Sequence, residues 1–113
     1  MEKNFKLKAT ELIDLITEMG GCYATDKITV DGMKIGYMYR EEPDEVHEWV
    51  DSGWRFLSGT ESQDYIEDAN NTMIYNVNTI ANYDKAIIPY LYMPFGSQLE
   101  RIEGTNEFKI VKD

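Results

Sequence analysis

The stretch KITVDGMKIGYMYR, residues 27–40, predicts the fold most directly. Asp31-Gly32 suits a two-residue type I′ turn, because glycine adopts a positive φ without a steric penalty. Such a turn would pair Ile28 with Ile35 and place both side chains on the same face of the sheet. We therefore predict that residues 27–40 form an antiparallel hairpin with one buried face.

An amphipathic helix is predicted before this hairpin, approximately from Phe5 to Met19. Its apolar side chains recur at helical spacing, at Leu12, Ile13, Ile16 and Met19. The pair Gly20-Gly21 would end the helix, since glycine supplies the backbone conformation of a helix C-cap. The chain is thus divided into an N-terminal helix, residues 1–21, and an α+β body, residues 22–113, within a single domain.

Short strands and helices are predicted for the rest of the chain. They are a strand from Trp54 to Leu57, a short helix from Thr60 to Asp68, a strand from Thr72 to Val77, a helical turn near Asn82 or Asp84 that breaks at Pro89, and a hairpin made by residues 98–102 and 108–111. Tight turns join most of the strands, which favours a largely antiparallel sheet. The predicted fold class is α+β.

The charge of the chain is unevenly distributed. Its 113 residues include 11 Lys and Arg against 21 Asp and Glu, a net charge of −10. Residues 41–68 contain ten of the acids and one base, a local charge of −9. This acidity argues against direct binding to nucleic acid or to an anionic membrane and favours a basic partner. A solvated surface without a partner is the alternative interpretation.

The sequence contains no recognisable signal peptide, membrane span or disulfide framework, and this predicts the compartment of the protein. The first residues are followed by acids and not by an apolar segment, so no signal peptide is predicted. No apolar run approaches the roughly 18 residues of a membrane span. The single cysteine, Cys22, provides no disulfide framework and suits a small buried side chain. We expect a cytoplasmic protein.

Catalytic and metal-binding motifs are weak. The only histidine, His47, lies among carboxylates, but the spacing matches neither a calcium loop nor an H-E-x-x-H zinc helix. Ser52 is not part of a G-x-S-x-G elbow. We therefore predict no catalytic residue, no metal and no cofactor. One alternative remains open, a small hydrolase that uses Asp51 and Glu61 as a carboxylate pair, with His47 as a further candidate. A plain structural or interaction domain is another.

The two tryptophans are expected to have different roles. Trp54 opens a predicted strand and is expected in the core. Trp49 lies within the acidic segment, and we expect it to be exposed and available to a partner, since tryptophan is common at the centres of interfaces.

Six short stretches between residues 27 and 101 carry a family resemblance. They are residues 27–32, 36–41, 51–56, 59–61, 78–84 and 96–101. The most distinctive contains Asp51-Ser52-Gly53-Trp54, a D-S-G-W sequence. In this order they resemble the small bacterial immunity proteins of polymorphic toxin systems, a family long catalogued as a domain of unknown function. The span of the resemblance is about two-thirds of the chain and excludes the predicted N-terminal helix.

The resemblance implies a non-enzymatic inhibitor that binds a cognate protein toxin. No catalytic residue accompanies the family. Combined with the local acidity, it predicts a toxin with a basic surface, whereas the oligomeric state stays open. The predicted partner-binding residues are Glu42, Asp44, Glu45, Glu48, Trp49, Asp51, Ser52, Trp54 and Glu61.

Overall fold

A computed structural model describes residues 3–43 and 49–111 of the chain. The strands in this part are β1 (Gly21–Thr25), β2 (Tyr37–Arg40), β3 (Asp51–Leu57), β4 (Thr72–Asn76), β5 (Gln98–Arg101) and β6 (Phe108–Ile110). They form one sheet in the order β4-β1-β3-β2-β5-β6. The neighbours β1 and β3 are parallel, and the other four pairs are antiparallel.

Short helices connect these strands. They are α1 (Asp26–Thr29), α2 (Gln63–Glu67) and α3 (Val77–Tyr83), with 3-10 turns at Ala9–Glu11, Ala69–Asn71 and Lys85–Tyr90. The predicted class, α+β with a largely antiparallel sheet, is confirmed. Among the described residues, no helix combines the length and the apolar character that crossing a bilayer requires.

The core lies on one face of the sheet, which we call the inner face. Because successive side chains of a strand point to opposite faces, each strand contributes alternate residues. The inner face and the helical layer that covers it share one cluster of buried apolar side chains: Cys22, Ala24, Ile28, Ile35, Met38, Trp54, Phe56, Val77, Ile80, Ala81, Ile87, Leu91, Leu99 and Phe108. Trp54 is fully buried, as predicted.

The opposite, outer face carries the alternate side chains of the same strands. Tyr23 and Arg55 are register partners on β1 and β3, and Tyr39 of β2 is opposite Arg55. Of the described helices, α2 approaches this face, and its Ile66 lines a groove with Tyr23, Tyr39 and Arg55. The protein is therefore a sheet with one covered face and one face where, among the described helical elements, α2 and the following 3-10 turn line the groove.

The predicted N-terminal helix is wrong. Residues 3–19 run mostly without regular structure and include only a three-residue 3-10 turn, Ala9–Glu11. Their backbone is bonded to the body of the protein: Asn78 Oδ1 accepts from the amides of Leu15 and Ile16, at 2.8 and 3.2 Å. Leu15, Ile16 and Met19 also pack against the core. Tertiary hydrogen bonds thus replace those of the helix that the apolar spacing predicted.

The first half of the predicted hairpin is also wrong. Residues 26–29 form the single-turn helix α1, and only Tyr37–Arg40 is a strand. Gly32 has φ +74°, but none of the described non-glycine residues has a positive φ, whereas a type I′ turn requires one at Asp31 too. The amide of Gly32 donates to Ile28 O and that of Met33 to Lys27 O, which ends α1. Ile28 and Ile35 are nevertheless both buried.

Most of the later elements agree with the sequence. The strands at Trp54–Leu57 and Thr72–Val77, the short helix after Thr60 and the C-terminal hairpin are confirmed, with shifts of a few residues at their ends. The helical region after residue 76 differs, because α3 precedes a 3-10 turn that contains Pro89. Strand β1 was not predicted, although it lies between β3 and β4.

Candidate functional site

Arg55 is the central charged residue of the outer face. Its Nη1 and Nη2 donate to the two oxygens of Asp51, at 2.9 and 2.8 Å, and its Nε donates to Glu41 Oε2 at 2.6 Å. The guanidinium also lies over the Tyr23 ring, 4.6 Å from the centroid. Burial alone would lower the pKa of Arg55, but the hydrogen bonds that it donates to Asp51 and Glu41 outweigh this effect and raise the pKa above its usual value. Arg55 therefore stays charged.

The neighbouring stretch Asp51–Trp54 has an internal, structural role. Ser52 Oγ donates to Gly21 O at 2.7 Å and accepts from the amide of Trp54 at 3.1 Å. The indole Nε1 of Trp54 donates to Leu91 O at 2.9 Å. Since Ser52 is 3% exposed and Trp54 is fully buried, these two predicted site residues support the surface from beneath.

Gly53 gives this stretch its shape. It has φ +90°, and a Cβ on it would lie 2.2 Å from Glu41 O. Its own carbonyl accepts the amide of Glu41 at 2.9 Å, and its amide donates to Asp51 Oδ1 at 2.8 Å. Only glycine combines this backbone conformation with so close an approach of another chain segment. The glycine therefore holds Glu41 and Asp51 beside Arg55.

Two adjoining grooves cross the outer face, and we call them together the trough. One measures about 360 Å³ and the other about 430 Å³, and both are lined by Leu57 and Ile66. The first groove also contains Tyr23, Tyr39, Glu41 and Arg55. The second contains Tyr37, Glu61 and Glu100. The trough thus has an apolar middle and carboxylates toward both ends.

Glu61 is held in an ionised state. Its Oε2 accepts from Thr25 Oγ1 at 2.6 Å and from the amide of Ser58 at 2.8 Å, and Oε1 accepts from Gly59 N at 2.9 Å. Partial burial would raise the pKa of Glu61, but these hydrogen bonds outweigh it and the pKa is lowered. The side chain therefore contributes a fixed negative charge to the trough.

The structure brings some predicted site residues together and leaves others outside the described part. The expected exposure of Trp49 is wrong, because this residue is half-buried and packs edge-on against Tyr23, with ring centroids 5.8 Å apart. Trp49 therefore lies on the same face as Asp51. Glu42 is exposed at the end of β2, and Glu61 lies in the trough. Asp44, Glu45, Glu48 and also His47 lie outside the described residues.

Most of the residues that line the trough were missed in the sequence. Among them are Tyr23, Tyr39, Arg55 and Ile66. The predicted hairpin placed Tyr37 and Tyr39 on the same buried face as Ile35, and this was wrong: Met38 is the fully buried residue of β2, and the two tyrosines line the trough. Tyr23 belongs to the strand that was not predicted, and Ile66 follows no apolar period that would distinguish it.

The trough does not resemble a general acid–base site. Asp51 is paired with Arg55, Glu61 has its own hydrogen-bond donors, and a general acid requires a raised carboxyl pKa whereas that of Glu61 is lowered. The Cys22 thiol is fully buried, and burial raises its pKa. Over residues 3–43 and 49–111, no cluster of three or more His, Cys, Asp or Glu side chains is placed to hold a metal ion.

The fold and the trough define a small α+β domain with a surface suited to binding. A family model described as the Immunity protein Imm33 domain matches residues 22–112, and the chain belongs to this family. The matched region contains the trough and all of the sheet except Gly21, the first residue of β1, and it begins after the N-terminal segment. No significant match was found among curated proteins or among solved structures.

Proposed function

We propose that this protein is a non-enzymatic immunity protein that neutralises a cognate protein toxin in the bacterial cytoplasm by direct contact through the outer face of its sheet. Family membership supports the immunity role. The observation that supports direct contact is the trough, where carboxylates surround an apolar middle on the face that the described helices leave largely uncovered.

The charge of this region supports a basic partner. The exposed acids at or near the outer face are Glu41 and Glu42 after β2, Asp64 and Glu67 on α2, and Glu100 on β5. A toxin that acts on nucleic acid presents a basic groove, and an acidic surface can occupy that groove. Electrostatic complementarity of this kind accelerates association and weakens as salt is added.

The remaining predicted contacts divide into two groups. Asp44, Glu45 and Glu48 lie between Glu42 and Trp49 in the sequence, outside the described residues, and we propose that they also contact the toxin. Ser52 and Trp54 lie beneath this surface, and we propose that they act by fixing the position of Asp51 and Arg55.

The test is a binding titration with an inactivated toxin, the product of the neighbouring gene, at low and at moderate salt. The variant carries four substitutions that remove negative charge: Glu42→Gln, Asp44→Asn, Glu45→Gln and Glu48→Gln. We expect its affinity to fall at least about tenfold and to depend less on salt, because charge pairs that steer association are lost.

A matched variant controls for net charge. It neutralises four exposed acids elsewhere, Asp14→Asn, Asp31→Asn, Glu103→Gln and Glu107→Gln, and so removes the same total charge. We expect the matched variant to bind nearly as well as the natural protein. If both variants lose the same affinity, or neither loses any, the proposed acidic contact surface is wrong.

A further inference from the structure

We propose that the trough receives a protruding segment of the toxin in which one apolar side chain is flanked by basic side chains. This inference rests on the proposed function, because it specifies the chemistry of the partner at the same surface. The occupant is defined by the arrangement of apolar and charged groups along the trough.

The middle of the trough offers an apolar seat. Ile66 is 42% exposed although it belongs to a helix, and it lines both grooves together with Leu57. The helix that carries it is fixed by the Ser62 cap, whose Oγ accepts from Tyr65 N at 3.1 Å. An exposed apolar side chain in a concave, preformed site is typical of the central contact of an interface.

The two ends of the trough offer negative charge. Its charged lining residues are Glu41 at one end, Glu61 and Glu100 at the other, and Arg55. Arg55 is paired with two carboxylates, the nearly buried Asp51 and Glu41, whose side chain is 51% exposed, so this end of the trough keeps a net negative charge. An incoming cation therefore meets carboxylates first. Glu100 has a long contact with Lys109, 3.7 Å between two exposed groups, and such a pair is easily replaced.

Tyr39 adds a reason for arginine within the basic segment. Its ring lines the same groove as Glu41, half-buried on β2. A planar guanidinium can stack on such a ring while it binds a carboxylate, and the combination is stronger than either contact alone.

A second copy of this chain does not fit the trough. Each chain has a net charge of −10, and the trough is itself acidic, so two copies that met here would repel each other. A basic segment of a different protein has the complementary charge.

Capped tripeptides test the inference without knowledge of the toxin. The probes are Arg-Leu-Arg, its acidic counterpart Glu-Leu-Glu and its polar counterpart Arg-Ser-Arg, titrated into the isotopically labelled protein at low salt. We expect Arg-Leu-Arg to shift the amide signals of Tyr39, Leu57 and Ile66, and the other two peptides to bind at least about fivefold more weakly. Shifts elsewhere, or equal binding of all three peptides, would overturn the inference.

A pair of variants extends the test from the peptides to the toxin itself. Ile66→Ser removes the apolar seat, and Ile110→Ser is its matched control, because Ile110 is also exposed, at 56%, but lies on the edge strand β6. We expect Ile66→Ser to weaken binding of both Arg-Leu-Arg and the toxin at least about fivefold and Ile110→Ser to leave both unchanged.

The two proposals fail in different ways. If the toxin binds and Ile66→Ser has no effect on its affinity, the trough is not the docking site and this inference is wrong, whereas neutralisation of the toxin by direct contact still stands. Another result is that the toxin fails to bind at all while Arg-Leu-Arg binds in the trough of the natural protein and not in that of the Ile66→Ser variant. That result would support the site and show that the immunity function is wrong.

Discussion

Arg55 and Asp51 form a doubly hydrogen-bonded ion pair within a single strand, at 2.9 and 2.8 Å. In a regular strand, residues four apart are separated by about 13 Å along the chain, so such a pair is unusual. The strand is irregular between the two residues: Gly53 has a positive φ, and the register between β1 and β3 shifts there. The Asp51–Trp54 stretch therefore shapes the outer face by bending the strand that carries its central charge.

Asp51→Asn is expected to destabilise the protein strongly. The Asp51 side chain is 2% exposed and that of Arg55 is 9% exposed, so the substitution leaves a nearly buried guanidinium without its main counter-ion. We expect a loss of about 3 kcal/mol in the free energy of unfolding, measured by denaturant titration. Glu41→Gln, at the half-exposed partner, is the control and should cost about 1 kcal/mol or less. Equal losses would show that burial of Asp51 is not decisive.

Gly53→Ala is expected to cost more than Gly104→Ala. Both glycines have a positive φ, +90° and +78°, so both substitutions carry the strain of that conformation, about 1–2 kcal/mol. A Cβ at Gly53 also meets Glu41 O, whereas one at Gly104 has nothing within 4 Å. The free energies of unfolding of the two variants, measured by thermal denaturation, should therefore differ by about 2 kcal/mol or more. Similar melting temperatures would contradict the close approach at Gly53.

Asn78→Ala is expected to release the N-terminal segment. The Asn78 side chain accepts from Leu15 N and Ile16 N and donates to Ile13 O at 2.8 Å. Losing these bonds should lower the free energy of unfolding by about 2 kcal/mol, although alanine by itself favours the helical conformation of α3. Hydrogen exchange at the amides of Leu15 and Ile16 should accelerate. Asn106→Ala, in an exposed turn, is the control, and unchanged exchange in Asn78→Ala would refute the role of this side chain.

Glu61 is expected to make stability depend on pH in the acid range. Its pKa is lower in the folded state than its ordinary value, so ionised Glu61 stabilises the fold above that ordinary value. The contribution disappears as the pH falls through the folded-state pKa. The difference in unfolding free energy between the natural protein and Glu61→Gln should therefore be largest near neutral pH and shrink below about pH 4. A difference that grows on acidification would contradict the assignment.

Local signals and tertiary contacts explain which predictions succeeded. The strand at Trp54–Leu57 and the C-terminal hairpin were correct because alternation and glycine-rich turns act over a few residues. The helix predicted from Phe5 to Met19 was wrong because its apolar spacing also suits an extended segment that packs against the core. The side chains that hold this segment, Asn78 and Asn82, are more than 60 residues away in sequence.

The sequence by itself determined the fold class, the buried position of Trp54 and Cys22, the family resemblance and the concentration of acids between residues 41 and 68. Only the tertiary structure decided which face of the sheet the helices cover, and therefore that Tyr39, Arg55 and Ile66 meet in one trough. The physical reason is that charge and periodicity are properties of neighbouring residues. The trough depends on register and packing between β1, β2, β3 and α2, whose residues are distant along the chain.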